Sequence, residues 1–168
     1  MSAVTGKHYI YLYRLESEKA TEDGTRIAFT TEDELSISAD ADATATKDGA
    51  VRGASVAELE KTCTSLMDAD DEMLPKLESA ILNGSLVELW EVNLDKPVAN
   101  QTNKYEGKYY QAYLTDFSKS SPADGNVEVS MTFGINGKGA SGNVTVSASQ
   151  QDEEQYTFAD TPKTGVQH

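Results

Sequence analysis

The stretch from Asp70 to Leu94, DDEMLPKLESAILNGSLVELWEVNL, changes its hydrophobic period from helical to strand-like across one Asn-Gly pair. Met73, Leu74, Leu77, Ala80, Ile81 and Leu82 recur at three- and four-residue spacing, the face that an amphipathic helix buries. An interior proline costs a helix about 3 kcal/mol through its missing donor and ring clash, so Pro75 belongs in the first turn and the helix begins near Asp71 to Leu74. Asp68, Asp70, Asp71 and Glu72 suit that end, where free N–H groups and the positive end of the dipole favour carboxylates. Asn83-Gly84 supplies a left-handed residue that stops the helix. Beyond it, Leu86, Glu88, Trp90 and Val92 alternate with Val87, Leu89 and Glu91, so a strand with two occupied faces follows at once. A sheet must receive both the helix and this strand.

The remaining chain reads mainly as strands. His8 to Leu15 (HYIYLYRL) is apolar on both alternating faces, Glu16 to Gly24 is a polar connection, and Thr25 to Thr30 (TRIAFT) is the expected returning strand of a first hairpin. After an acidic break at Thr31 to Glu34, Leu35 to Thr46 sets Ile37, Ala39, Ala41, Ala43 and Ala45 against Ser36, Ser38, Asp40, Asp42, Thr44 and Thr46. Lys47-Asp48-Gly49 is the strongest hairpin signal, because both central residues of the favoured two-residue turn take positive φ, which Asp and Gly tolerate. Ala50 to Ala57 is too weakly apolar to build core and reads as a projecting, flexible loop. Glu58 to Met67 mixes helix formers with a β-favouring Thr62-Cys63-Thr64 alternation and is assigned to a strand.

Asp95 to Lys104 has turn composition, and Pro97 cannot donate to a ladder. Tyr105 to Phe117 is a long strand with an aromatic face of Tyr105, Tyr109, Tyr113 and Phe117; Asn126 to Ile135 returns antiparallel to it after the turn cluster Ser118 to Gly125. Asn136 to Asn143 is a Gly-rich loop, Val144 to Ala148 one short further strand, and the polar chain from Gln150 onward has Tyr156 and Phe158 to pack.

Composition narrows the function. The 168 residues suffice for one domain with a real core, and 14 Lys and Arg against 28 Asp and Glu give −14, which opposes gripping nucleic-acid phosphates. Cys63 is the sole cysteine, so there is no internal disulfide and no multi-cysteine zinc site, and nothing argues for export. No apolar window of about 18 residues predicts a membrane helix.

The candidate chemistry is thin. His8 opens a strand and His168 ends the chain, while Cys63 has no partner histidine in view and reads as a buried structural thiol. GINGKGASG at Gly134 to Gly142 lacks the spacing of a phosphate loop. Same-face acids such as Asp40/Asp42 and Glu58/Glu60 are more often a solvated surface than a glycosidase pair, and Trp90 beneath an amphipathic helix is core rather than a sugar platform. Asn83-Gly84-Ser85 and Asn143-Val144-Thr145 match the glycosylation pattern, which carries no meaning without secretion. No catalytic set, metal site or cofactor is expected.

The order of these segments resembles the major tail, or tail-tube, proteins of long-tailed, non-contractile bacteriophages. The resemblance lies in GKHYIYLYRL (Gly6 to Leu15), ATKDGAVRG (Ala45 to Gly53), MLPKLESAILNGSLVELWEVNL (Met73 to Leu94), GKYYQAYLTDFS (Gly107 to Ser118) and GNVEVSMTFGINGKG (Gly125 to Gly139), and it is carried by their order rather than by a short motif. It implies a mainly β fold with one α-helix, a β-sandwich or half-barrel with the helix on its flank. It also implies a structural, non-enzymatic virion protein whose copies join edge to edge into homo-hexameric rings. The rings stack into a tube through which DNA leaves the head. Assembly in the host cytoplasm, and tape-measure, tail-terminator or baseplate proteins as partners, are implied too, with no membrane. Two other readings stay open: the similar ring-forming tube of a bacterial secretion machine, and a β-sandwich carbohydrate or adhesion module using its tyrosines.

The expected layout is an N-terminal arm at 1–7, a tail-tube domain at 8–149 with a projecting loop at 45–57, and a polar tail at 150–168. Alternation places Asp40 and Asp42 on one face of their strand and Glu58 and Glu60 on one face of theirs. If those strands pair with their apolar faces on the core, the carboxylates meet on the opposite face, which in a ring is the lumen, and Glu128 joins them. The loop, with Lys47, Asp48, Gly49, Val51 and Arg52, is expected to contact the next ring; the two termini are weaker interface candidates.

Overall fold

The apolar run after His8 becomes β1, Tyr9–Leu15, in the computed structural model, which describes residues 3–147 and 161. Seven further strands follow: β2 Thr30–Ser38, β3 Ala41–Thr46, β4 Gly49–Ala54, β5 Glu58–Leu66, β6 Val87–Pro97, β7 Lys104–Ser120 and β8 Glu128–Thr145, with one helix, α1, Met73–Asn83, between β5 and β6. Six strands form one antiparallel sheet in the order β1-β6-β7-β8-β5-β2, while β3 and β4 pair only with each other as an arm that continues β2 and β5 away from the sheet.

The helix and strand form where the change of period places them. The Met73 N–H donates to Asp71 Oδ1 at 2.9 Å, Pro75 sits in the first turn, and Gly84 ends the helix at φ 66° with its N–H on the Ala80 carbonyl. Met73, Leu74, Leu77 and Ala80 are buried against Tyr11 and Tyr13 of β1, Val87 and Leu89 of β6, Tyr110 and Ala112 of β7, and Val129, Met131 and Phe133 of β8. Tyr13 stacks on Phe133 at 5.5 Å between centroids, a contact that brings β1, at one end of the sheet, over β8 near the other. The sheet is therefore strongly coiled. On the opposite face of β1 and β6, Ile10, Leu12 and Val92 form a second core with Val144 and Val146, which the far end of β8 brings over them. Gly107 permits that closeness: a Cβ there would meet the Glu91 carbonyl oxygen at 2.3 Å and Val144 Cγ2 at 2.8 Å.

Several expectations are corrected. Thr25 to Thr30 forms no returning strand; Thr25 makes a single bridge to Tyr13, and β1 pairs instead with β6. The supposed break Thr31 to Glu34 is strand, paired with β5, and the strand expected over Leu35 to Thr46 is interrupted between Ser38 and Ala41. The loop Ala50 to Ala57 is mostly strand β4, and at the tip Gly49 takes φ 124° while neither Lys47 nor Asp48 has positive φ. Strand β6 runs on to Pro97, with a register shift after Val92. The Gly-rich run Asn136 to Asn143 is also strand, the middle of β8, with Gly137 and Gly139 at φ 71° and 76°.

The aromatic face of β7 is broken for a physical reason. The register shift at Leu114/Asp116 is a bulge in β7 that reverses which of its side chains face inward, whereas the shift at Tyr109/Gln111 puts its extra residues on β8 and leaves the alternation of β7 intact. Tyr110 and Phe117 thus reach the same core, whereas Tyr113 is exposed. Of the chain from Gln150, all but Thr161 lies outside the described residues.

Candidate functional site: an acidic sheet face and a projecting arm

Strand β5 sets Leu59, Lys61, Cys63 and Ser65 into the core, so Glu58, Glu60, Thr62 and Thr64 point the other way. The ladder extends that outward face. Glu58 and Glu60 lie opposite Ser38 and Ser36, Thr62 and Thr64 opposite Glu34 and Glu32 on β2, and on the other side Thr62 faces Thr132 of β8, which in turn faces Asp116 of β7. Glu128 pairs with Leu66 and with Ser120. Cross-strand partners share a face, so Glu32, Glu34, Glu58, Glu60, Asp116 and Glu128 stand on one surface. No Lys or Arg occupies these outward positions; Lys61 points inward, and Lys119 reaches Glu78 of α1 at 2.7 Å on the helix side.

The predicted set is thus partly brought together. Glu58, Glu60 and Glu128 share the sheet face. Asp40 and Asp42 do not lie on the sheet: Asp40 sits at the root of the arm, where its backbone N–H and carbonyl bond the Ser55 hydroxyl at 2.9 and 2.8 Å, and Asp42 pairs with Gly53 within the arm. Alternation along Leu35 to Thr46 suggested one continuous strand, and the interruption after Ser38 removes that continuity. Sequence reasoning misses Glu32, Glu34 and Asp116, because Thr31 to Glu34, in the first half of β2, reads as a break and the bulge in β7 hides the facing of Asp116.

Lys47, Asp48, Gly49, Val51 and Arg52 all lie on the arm, whose described side chains are exposed along both strands. Arg52 Nη1 donates to the Ala41 carbonyl at 2.9 Å, tying the arm's two strands together. Val51 is 59% exposed and Val56, at the root, 83%. Among the described residues, β1 and β2 each have one side of the ladder without a neighbouring strand, Thr25 making only a single bridge to β1.

Among the described residues there is no group of three or more His, Cys, Asp or Glu placed to hold a metal ion, and no helix long and apolar enough to cross a membrane. Trp90 is not a free platform: Tyr109 packs on it at 5.4 Å and the Arg14 guanidinium lies 4.9 Å over its ring.

A family model described as phage tail tube protein matches residues 3–140. The chain belongs to the phage tail tube protein family. It is 31% identical over 158 residues to a chain of Staphylococcus phage phiMR25 named as a tail protein, covering 92% of this chain and 81% of that one. The tail tube of SPP1, solved by solid-state NMR and cryo-EM, superposes with a TM-score of 0.78 at 19% identity, over 98% of this chain and 95% of that chain. The tail of an empty gene transfer agent particle, refined helically with C6 symmetry, gives 0.63 at 12% identity over 86% and 100%. This tail tube protein is accordingly a structural component of a phage virion tail, mainly β with one helix, as the segment order implied.

Proposed function

We propose that this tail tube protein closes into hexameric rings that stack into a tube, with the sheet face of Glu32, Glu34, Glu58, Glu60, Asp116 and Glu128 turned to the lumen. The observation that carries the reading is the segregation of carboxylates, without a cation, on the face opposite the helix and core. DNA sliding past such a wall meets repulsion over about one Debye length, roughly 8 to 10 Å, so it passes without being held. The open edges of β1 and β2 suit side-by-side contacts between copies, and a head-to-tail contact closes into a ring when its rotation permits. The related C6 tail supports six copies as the closing number.

The arm reaches the neighbouring ring, presenting Lys47, Asp48, Gly49, Val51 and Arg52, and carries Asp40 and Asp42 so that the acidic lining continues towards that ring. Assembly takes place in the host cytoplasm around a tape-measure protein, with terminator and baseplate proteins at the ends, and the subunit performs no catalysis.

Charge reversal tests the lining. Replacing Glu58, Glu60 and Glu128 by Lys is expected to leave tubes able to assemble but to make them retain DNA in a salt-sensitive way, through counterion release. Tubes that release DNA as the parent does, at every salt concentration, would place these residues away from the channel.

A further inference from the structure

Lys61 has no part in either surface. It is fully buried on the inner face of β5, with Nζ 4.2 Å over the Tyr11 ring and 5.0 Å from the Tyr13 ring centroid. Nζ donates to Tyr13 Oη and to Asp33 Oδ1. Asp33 pairs directly with Cys63, two residues along the same inward row, so Lys61 and Asp33 are a diagonal cross-strand pair within the span of a lysine side chain.

We propose that Lys61 and Asp33 condense, after folding, into an intramolecular isopeptide bond between Nζ and Cγ that welds β5 to the terminal strand β2. An ammonium and a carboxylate are each penalised on leaving water, whereas an amide carries no charge, so the buried site favours the condensed product. Folding holds amine and carboxyl in contact, which replaces a bimolecular encounter by an intramolecular one. The proton passes from Nζ to the Asp33 carboxylate, leaving a neutral amine beside a carboxylic acid. Nζ attacks Cγ, Tyr13 Oη relays a proton from the nitrogen to the departing oxygen, the Cγ–Oδ bond breaks, and one water leaves. Nothing is oxidised or reduced.

Asp33 is 19% exposed, so the water has a route outward. Cys63, the nearby competing nucleophile, stays a thiol at neutral pH, since burial pushes it up to about 11. The bond fastens the strand that continues into the arm, where a stacked assembly would apply load.

The test is mass spectrometry of the denatured, unassembled full chain, which is independent of any tube. The parent protein should weigh one water, about 18 Da, less than its sequence, and digestion should yield one branched peptide joining position 61 to position 33. Asp33→Asn should lose ammonia instead, about 17 Da, while Asp33→Ala and Lys61→Met keep full mass. A parent chain at full mass that releases an unmodified Lys61 peptide overturns the proposal, and so does a water loss that survives Lys61→Met. The parent measurement needs no variant to fold.

Discussion

Tyr9 and Tyr11 both donate to the Glu91 carboxylate, Tyr11 at 3.1 Å from a buried position, and Tyr13 lies wholly inside the core. Burial raises all three hydroxyl pKa values, with the charge and hydrogen bond of Glu91 adding to it at Tyr9 and Tyr11, and Cys63 and Asp33 at Tyr13. A pKa higher in the folded chain means that the unfolded chain gives up its protons first as pH rises. Stability should therefore be level through neutral pH and fall above about pH 10, where unfolded tyrosine ionises and the folded hydroxyls do not. Urea midpoints measured from pH 7 to 11 check this, and Tyr11→Phe should make the fall shallower; a level profile to pH 11 contradicts the buried hydroxyls. Some of this was legible in the sequence. Tyr9, Tyr11 and Tyr13 share a face by simple alternation, and Cys63 is the buried thiol expected. Lys61 was not legible, because a lysine between Leu59 and Cys63 takes an inward place only when a counter-charge waits there. That counter-charge, Asp33, lies in a segment whose acids look like a turn.

The arm is the element whose removal should separate folding from assembly. The pair Ala41 and Ala54 closes its root, and the arm beyond contributes nothing to either core. Replacing residues 42–53 by an Asn-Gly turn should leave the circular dichroism spectrum and the thermal midpoint close to the parent while abolishing tubes. Tubes that form unimpaired would remove the arm from ring stacking. Elements defined by local signals were readable: α1 and β6 from a change of period at Asn83-Gly84, and the β3–β4 turn from Lys47-Asp48-Gly49. Elements defined by distant partners were not. Thr25 to Thr30 looks like a strand but meets the ladder only at Thr25, which bridges Tyr13 on the outer side of β1, while the distant β6 supplies the strand that pairs along the whole of β1. The Gly-rich middle of β8 looks like a loop because Gly137 and Gly139 take left-handed φ where the ladder shifts against β7.

At the scale of the molecule, the described charge is segregated, with the helix and its ion pairs on one side and Glu32, Glu34, Glu58, Glu60, Asp116 and Glu128 on the other. Self-repulsion on that face opposes compaction of a single chain, so the arrangement has to be retained for a reason beyond stability. Coiling the sheet also leaves β1 and β2 at its ends and sets β3 and β4 apart from it, and the proposed assembly would use the first pair for neighbours beside the subunit and the second for neighbours above it. The most direct measurement is cryo-EM of tubes grown from the purified chain at high concentration, on the order of a hundred ångströms wide for six domains around a channel. The account predicts six copies per ring, with Glu58, Glu60 and Glu128 facing the hollow centre and Val51 and Arg52 touching the next ring. A chain that stays monomeric, or a tube whose acidic sheet face lies on the outside or between subunits, would contradict it.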